Sequence, residues 1–140
     1  MHPERSVHDN HVYAYSVDCE GRQLTLHTFF RDRDPIEYTD VVFRDVFAHR
    51  FEHVLKGNIL FDIQEVDLAG LVQDNAELLT VSWRYGWPPF DYDGDLAKLV
   101  SAMQAASARA FAISSSYGLS GWVVARSSER VGRGSPARIS

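Results

Sequence analysis

"HVYAYSVDCEGRQLTLHTFF", residues 11 to 30, is the run that most restricts what this chain can fold into. A reversal at Glu20-Gly21 sets Val17 opposite Leu24, Tyr15 opposite Leu26 and Tyr13 opposite Thr28 on one side, with Ser16 and Thr25, and Ala14 and His27, on the other. One register satisfies all of these pairs, and a slip of one residue would turn every apolar side chain to the wrong face. The run predicts an antiparallel hairpin. "RDRDP", at 31 to 35, then breaks the alternation and reads as a loop.

The next segment, "EYTDVVFRDVFAHRFEHVLKGNILFDIQEVD", carries two competing periods. Phe47, His49, Phe51 and His53 alternate as on a strand, whereas Phe43, Val46, Phe47, Arg50 and Val54 recur near helical spacing. The β-branched and aromatic "DVVF", and the turn residues "KGN" at 56 to 58, favour strands, with "NILFDIQEV" as the central one. "DLAGLVQDNAELL" reads as a short helix that Asp67 could cap. Leu96, Leu99, Val100 and Met103 fall on one face of a second, amphipathic helix packed on a sheet. "RAFAISSSYGLSGWVVARS" predicts a second hairpin, its turn at Tyr117-Gly118 opposing Ile113 to Trp122 and Phe111 to Val124.

The expected architecture is therefore α+β: a mainly antiparallel β-sheet built from hairpins and packed by one or two amphipathic helices. Residues 1–127 form one domain, and 128–140, small, polar and basic, form a disordered tail. A chain of 140 residues can bury about two thirds of its unfolded surface, so no disulfide or metal staple is needed. Cys19 stands alone, which suits a reducing compartment. "MHPERSVHDNH" lacks the apolar run of a signal peptide, and no stretch has the length of a membrane span, so the expectation is a cytoplasmic protein.

The net charge of −5 is unevenly placed. Asp62, Glu65, Asp67, Asp74, Glu77, Asp91, Asp93 and Asp95 face a single base, Arg84, between 62 and 95. Such a surface argues against nucleic acid, whose phosphates need Lys and Arg, and would steer a basic protein partner toward it.

Candidate chemistry is weighed against plainer structure. "DYDGD" invites a calcium loop, but counting from Asp91 puts Gly94 at position 4 and Ala102 at position 12, where the loop needs Gly at 6 and Glu at 12. Asp93 or Asp95 capping a helix explains the acids better. His49 and His53 could grip a metal on a helix; on a strand they stand roughly 13 Å apart at about 3.3 Å per residue, too far for one ion. Cys19 and His27 fall on opposite faces of the hairpin, which argues against a dyad between them. "SSSYGLSG" lacks the lysine and following helix of a phosphate loop, and reads as a turn. With no catalytic motif found, the expectation is a non-enzymatic protein without cofactor or metal.

Binding remains. "WRYGWPPFDYDGD" alternates Trp83, Tyr85 and Trp87 before two prolines, so one face would carry all three rings, either filling a core or forming a partner patch. The candidate partner-binding set is Trp83, Tyr85, Trp87, Asp91 and Asp93, with Asp74 and Glu77. An alternative is a small-molecule or hydrolytic role in a pocket near 83–95, with His49 or His53 beside Asp62. A structural role through an exposed strand edge is a third.

At the level of whole segments, "HDNHVYAYSVDCEGRQLTLHT", "NILFDIQEV" and "SSYGLSGWVVARS" resemble a family of small uncharacterised bacterial proteins, across most of residues 8 to 127. The opening His8-Asp9 followed by a β-meander is also similar to some immunity proteins of bacterial toxin systems. That second resemblance implies a cytoplasmic binder that occludes a toxin and does no chemistry of its own, and it carries no catalytic set over to this chain.

Overall fold

Polarity differs so sharply between the two faces of the first hairpin that its register is forced. In the computed structural model, which describes residues 5–139, β1 (His11–Asp18) and β2 (Gln23–Phe30) pair Val17 with Leu24, Ser16 with Thr25, Tyr15 with Leu26 and Ala14 with His27. Leu24 and Leu26 are fully buried. Tyr13 departs from the expected pairing: a bulge sets Val12 opposite Thr28 and leaves the Tyr13 ring beside those of His27 and Phe29. The turn is also wider than two residues, because the ladder ends at Asp18 opposite Gln23 and Asp18 accepts the Gly21 N–H at 2.9 Å.

β3 (Glu37–Glu52) is a strand along its whole length, so the β-branched signal outweighs the helical spacing over 42–52. β4 (Asn58–Val66) coincides with "NILFDIQEV". β5 (Arg109–Tyr117) and β6 (Ser120–Arg133) complete one antiparallel sheet that closes on itself in the order β1-β2-β3-β6-β5-β4. Two three-stranded meanders thus meet along β3–β6 and, at a much shorter seam, along β1–β4, where His11 faces Ile59 and Val12 faces Asn58.

Two corrections concern β6. The β5–β6 register is one residue from the expected one, with Ile113 opposite Gly121 and Phe111 opposite Val123. Both faces of β6 are apolar over residues 122–125: Val123 and Ala125 point into the barrel, while Trp122 and Val124 point out against helices. Alternation cannot choose between registers when both faces are buried. The tail expected from 128 is strand as far as Arg133, because the sixteen-residue β3 offers a partner for every residue of it, down to Tyr38 opposite Arg133. Arg130 lies across from the interior residue Val41, and its guanidinium donates to the carbonyls of Arg5 and Ile63. A basic composition here marks carbonyl-binding arginines within a sheet.

Apolar burial is divided between the barrel interior and its outer wall. Leu26, Phe43, Leu60, Ile63, Phe111 and Val123 fill the inside. Outside, Ala48, Ala110, Trp122 and Val124 carry α1 (Leu68–Asp74), α2 (Ala76–Ser82) and α3 (Leu96–Ala105), which contribute Leu71, Leu79, Leu99 and Met103. Each large side chain so buried stabilises the fold by about 1.5–3 kcal/mol. Asp67 caps α1 through the Gly70 N–H, and Asp95 caps α3 through those of Ala97 and Lys98. The single helix expected over 67–79 is broken at Asn75, whose amide donates to Leu71 O and accepts from the Trp122 indole N–H at 3.2 Å. That bond ties the break to the sheet. None of the described helices is long and apolar enough to cross a membrane.

Candidate functional site

The stretch 83–95 closes the helical layer, and the local geometry separates its rings. A 3₁₀ turn, Trp83–Tyr85, continues α2 and ends at Gly86, whose φ of 76° favours glycine. Helical geometry turns successive residues around the axis, so the three rings do not share the face that alternation predicted. Trp83 and Trp87 are half-buried on the outer core, Trp87 packing at a tilt of 33° against Trp122 with centroids 5.8 Å apart. Phe90 packs on Phe47, and Tyr92 is buried with its hydroxyl donating to Leu79 O at 2.8 Å. Tyr85 alone of the three points away, 89% exposed.

Four residues before Tyr85 stands Val81, 52% exposed, and four before that Glu77, so the three form one outward stripe along α2 and its extension. The 91–95 loop lies against the same helix end, since Gly94 approaches Thr80 O and the Trp83 indole. It brings exposed Asp91 and Asp93 beside the stripe, and Asp74 ends the preceding helix. The eight acids of this region then fall into two groups. Asp67 and Asp95 cap helices, Glu65 is gripped by Arg109, and Asp62 accepts from Ile63 N–H and the Gln64 amide. Asp74, Glu77, Asp91 and Asp93 make no ion pair or side-chain hydrogen bond among the described residues. Arg84 lies over the Trp83 ring at 5.9 Å, and Lys98 follows the acidic loop in the first turn of α3. The helical layer therefore exposes Val81 and Tyr85 together with four acids that make no ion pair among the described residues; Asp74, at the end of α1, lies in a groove with Gly70 and Trp122.

His49 and His53 do not act together: His49 lies in β3 beside Phe51, with ring centroids 5.3 Å apart, and His53 lies past the strand's end. His49 lines a 220 Å³ cleft with Val17, Cys19, Val46 and Trp87, whereas Asp62 sits on β4. Burial pushes the His49 pKa below its ordinary 6.5. The folded protein therefore resists protonating a group that the unfolded chain protonates freely, so stability falls as pH drops through about 6.5 and levels off below the folded value. His49→Gln should flatten that part of a stability-against-pH curve. An unchanged slope between neutral and mildly acid pH would show that another group sets it.

Sequence reasoning passed over one polar cluster. On the outer face of the first meander, the Ser16 hydroxyl meets His27 Nε2 at 3.3 Å, and His27 Nδ1 meets Asp40 at 2.9 Å. The hairpin register already put Ser16 and His27 on one face, but Asp40 arrives on β3, whose pairing with β2 no local pattern announces. Cys19 is exposed in the turn, while both ring nitrogens of His27 are engaged by Ser16 and Asp40. No family model matches this chain, and neither the curated proteins nor the solved structures contain a match.

Proposed function

We propose that this chain is a protein-binding module whose helical face, centred on Tyr85 and Val81, receives a basic protein partner. The observation that carries this is that Asp74, Glu77, Asp91 and Asp93 make no ion pair among the described residues, on the same helical layer that exposes Val81 and Tyr85. Like charges held together without compensation repel one another, and a cationic partner relieves that repulsion while the ring supplies contact area. Trp83 and Trp87 act behind the surface, holding α2 against the sheet so that the stripe is rigid. The similarity of the His8-Asp9 start and its meander to immunity proteins makes a basic toxin the first partner to try.

The test is comparative capture from an extract of the source organism on immobilised wild type, Tyr85→Ala and Glu77→Lys. A basic protein held by wild type should be released by rising salt. Each variant should hold it about tenfold less or worse, as expected for an exposed aromatic anchor and for a reversed charge at the contact. Retention that is equal on all three, or indifferent to salt, would remove the helical face from consideration.

A further inference from the structure

We infer that Ser16 is a reactive nucleophile, activated by His27 and able to take an acyl group from small activated esters. Four neighbouring strands in barrel order contribute one residue each: Ser16 on β1, His27 on β2, Asp40 on β3 and Arg133 on β6. His27 lies directly opposite Asp40, and Ser16 is its diagonal neighbour. Asp40 can only accept, so the 2.9 Å contact places the neutral imidazole's proton on Nδ1 and leaves Nε2 bare toward the Ser16 hydroxyl at 3.3 Å. The second oxygen of Asp40 accepts from Arg133 at 3.1 Å, which holds the carboxylate in place. A nucleophile, a base within reach of it and a group orienting that base form the arrangement that serine chemistry requires.

The surroundings fit this role. His27 and Asp40 are 8% and 7% exposed, so the base and its orienting carboxylate are shielded from water, whereas Ser16 is open to solvent. The Tyr13 ring stands beside His27, and its hydroxyl accepts the Ala137 N–H at 2.8 Å, tying the C-terminal segment to this face. A donor for the developing oxyanion follows from topology. Among the described residues β1 pairs with β4 only at His11 and Val12, so residues 14–18 meet no strand there on the side away from β2. In an antiparallel ladder alternate residues turn their N–H groups outward, so either Ser16 itself or both of its neighbours present one there.

In the step, Ser16 Oγ bonds to the ester carbonyl carbon while its proton passes to His27 Nε2. The bond to the leaving alkoxide breaks and that oxygen takes the proton from His27, giving an acyl-serine and an alcohol. Water, deprotonated by the same nitrogen, then releases the carboxylic acid and restores Ser16. Asp40 and Arg133 are positioning residues. The open, shallow face suits small unhindered acyl donors.

The experiment uses a fluorophosphonate probe on the folded full-length chain, with the adduct located by peptide mass mapping. Ser16 should label at least tenfold faster than exposed Ser114 and Ser116, and faster than Ser16 in the denatured chain. Ser16→Ala, at an exposed position where folding is retained, should abolish both that adduct and turnover of p-nitrophenyl acetate. Arg133→Lys, which keeps a cation beside Asp40, should slow labelling less than Arg133→Ala. Labelling of Ser16 no faster than of Ser114 or of the denatured chain would overturn the inference and leave a structural polar network.

Discussion

Replacing Asn58 with alanine should destabilise the protein by about 3 kcal/mol, because one side chain closes the barrel's short seam. Its Oδ1 accepts the N–H groups of Leu55 at 3.0 Å and Leu119 at 2.9 Å, while its Nδ2 donates to Leu55 O at 2.6 Å and Val12 O at 3.4 Å. It therefore joins the β3–β4 loop, the β5–β6 turn and β1 at one buried point. Leu119 is fully buried, so its N–H would be left without a partner or water; Leu55 is exposed and can rehydrate. The orphaned amide costs about 1–3 kcal/mol, and the remaining lost bonds add about 1 kcal/mol more. Denaturant titration measures the total, and native-state hydrogen exchange locates it: the Leu119 and Leu60 amides should lose protection first. A loss below about 0.5 kcal/mol, the range of ordinary surface substitutions, would show that the seam is held elsewhere.

The parts of the fold legible in the sequence were those where one face is polar in composition and the other apolar. Thr25 and Ser16 against Leu24 and Leu26 decide the first hairpin, and Asp95 before Leu96 announces the start of α3, because the cap and the apolar face are both local signals. Val123 and Val124 defeat the same reasoning, since the helices bury the face that alternation expects to be polar. Residues 128–133 were hidden for a different reason: their strand exists because β3 is there to pair with it, a non-local cause. The two candidate sites divide along the same line. Tyr85 was in view from sequence, though its separation from Trp83 and Trp87 needed the 3₁₀ turn. The Ser16–His27 half of the relay was implicit in the hairpin register, while Asp40 and Arg133 required barrel order. The structure also keeps the two sites apart, with helices on the outer wall of β3, β5 and β6 and the relay on the β1–β2–β3 face, so variants at one can be judged without disturbing the other.

Gly121→Ala should be more damaging than the glycine-to-alanine changes whose added carbon meets open space, by an amount that measures how closely β3 and β6 approach. Gly121 has φ of 150°, and a Cβ there would overlap the Arg50 carbonyl oxygen and stand 2.9 Å from its carbon and 3.0 Å from Phe51 Cα. These are backbone atoms of the facing strand, where Phe51 pairs with Gly121, so relief requires the two strands to part. Strain at a φ that side chains rarely adopt costs about 1–3 kcal/mol, and forcing packed backbone aside adds about 1–3 kcal/mol. Gly57 and Gly86 supply the control: both have positive φ, 87° and 76°, but an added Cβ meets nothing within 4 Å. Alanine at either should lose only about 1–2 kcal/mol, the conformational part alone. Damage at Gly121 should also reach the helices, because Trp122 and Val124 next to it form the wall on which α1 and α3 rest. Denaturant titration of the three variants gives the comparison, and near-ultraviolet circular dichroism of the Trp87–Trp122 pair reports on the helical layer. If Gly121→Ala is no worse than Gly57→Ala, the strands have room to spare, and the reason for glycine there is turn geometry alone.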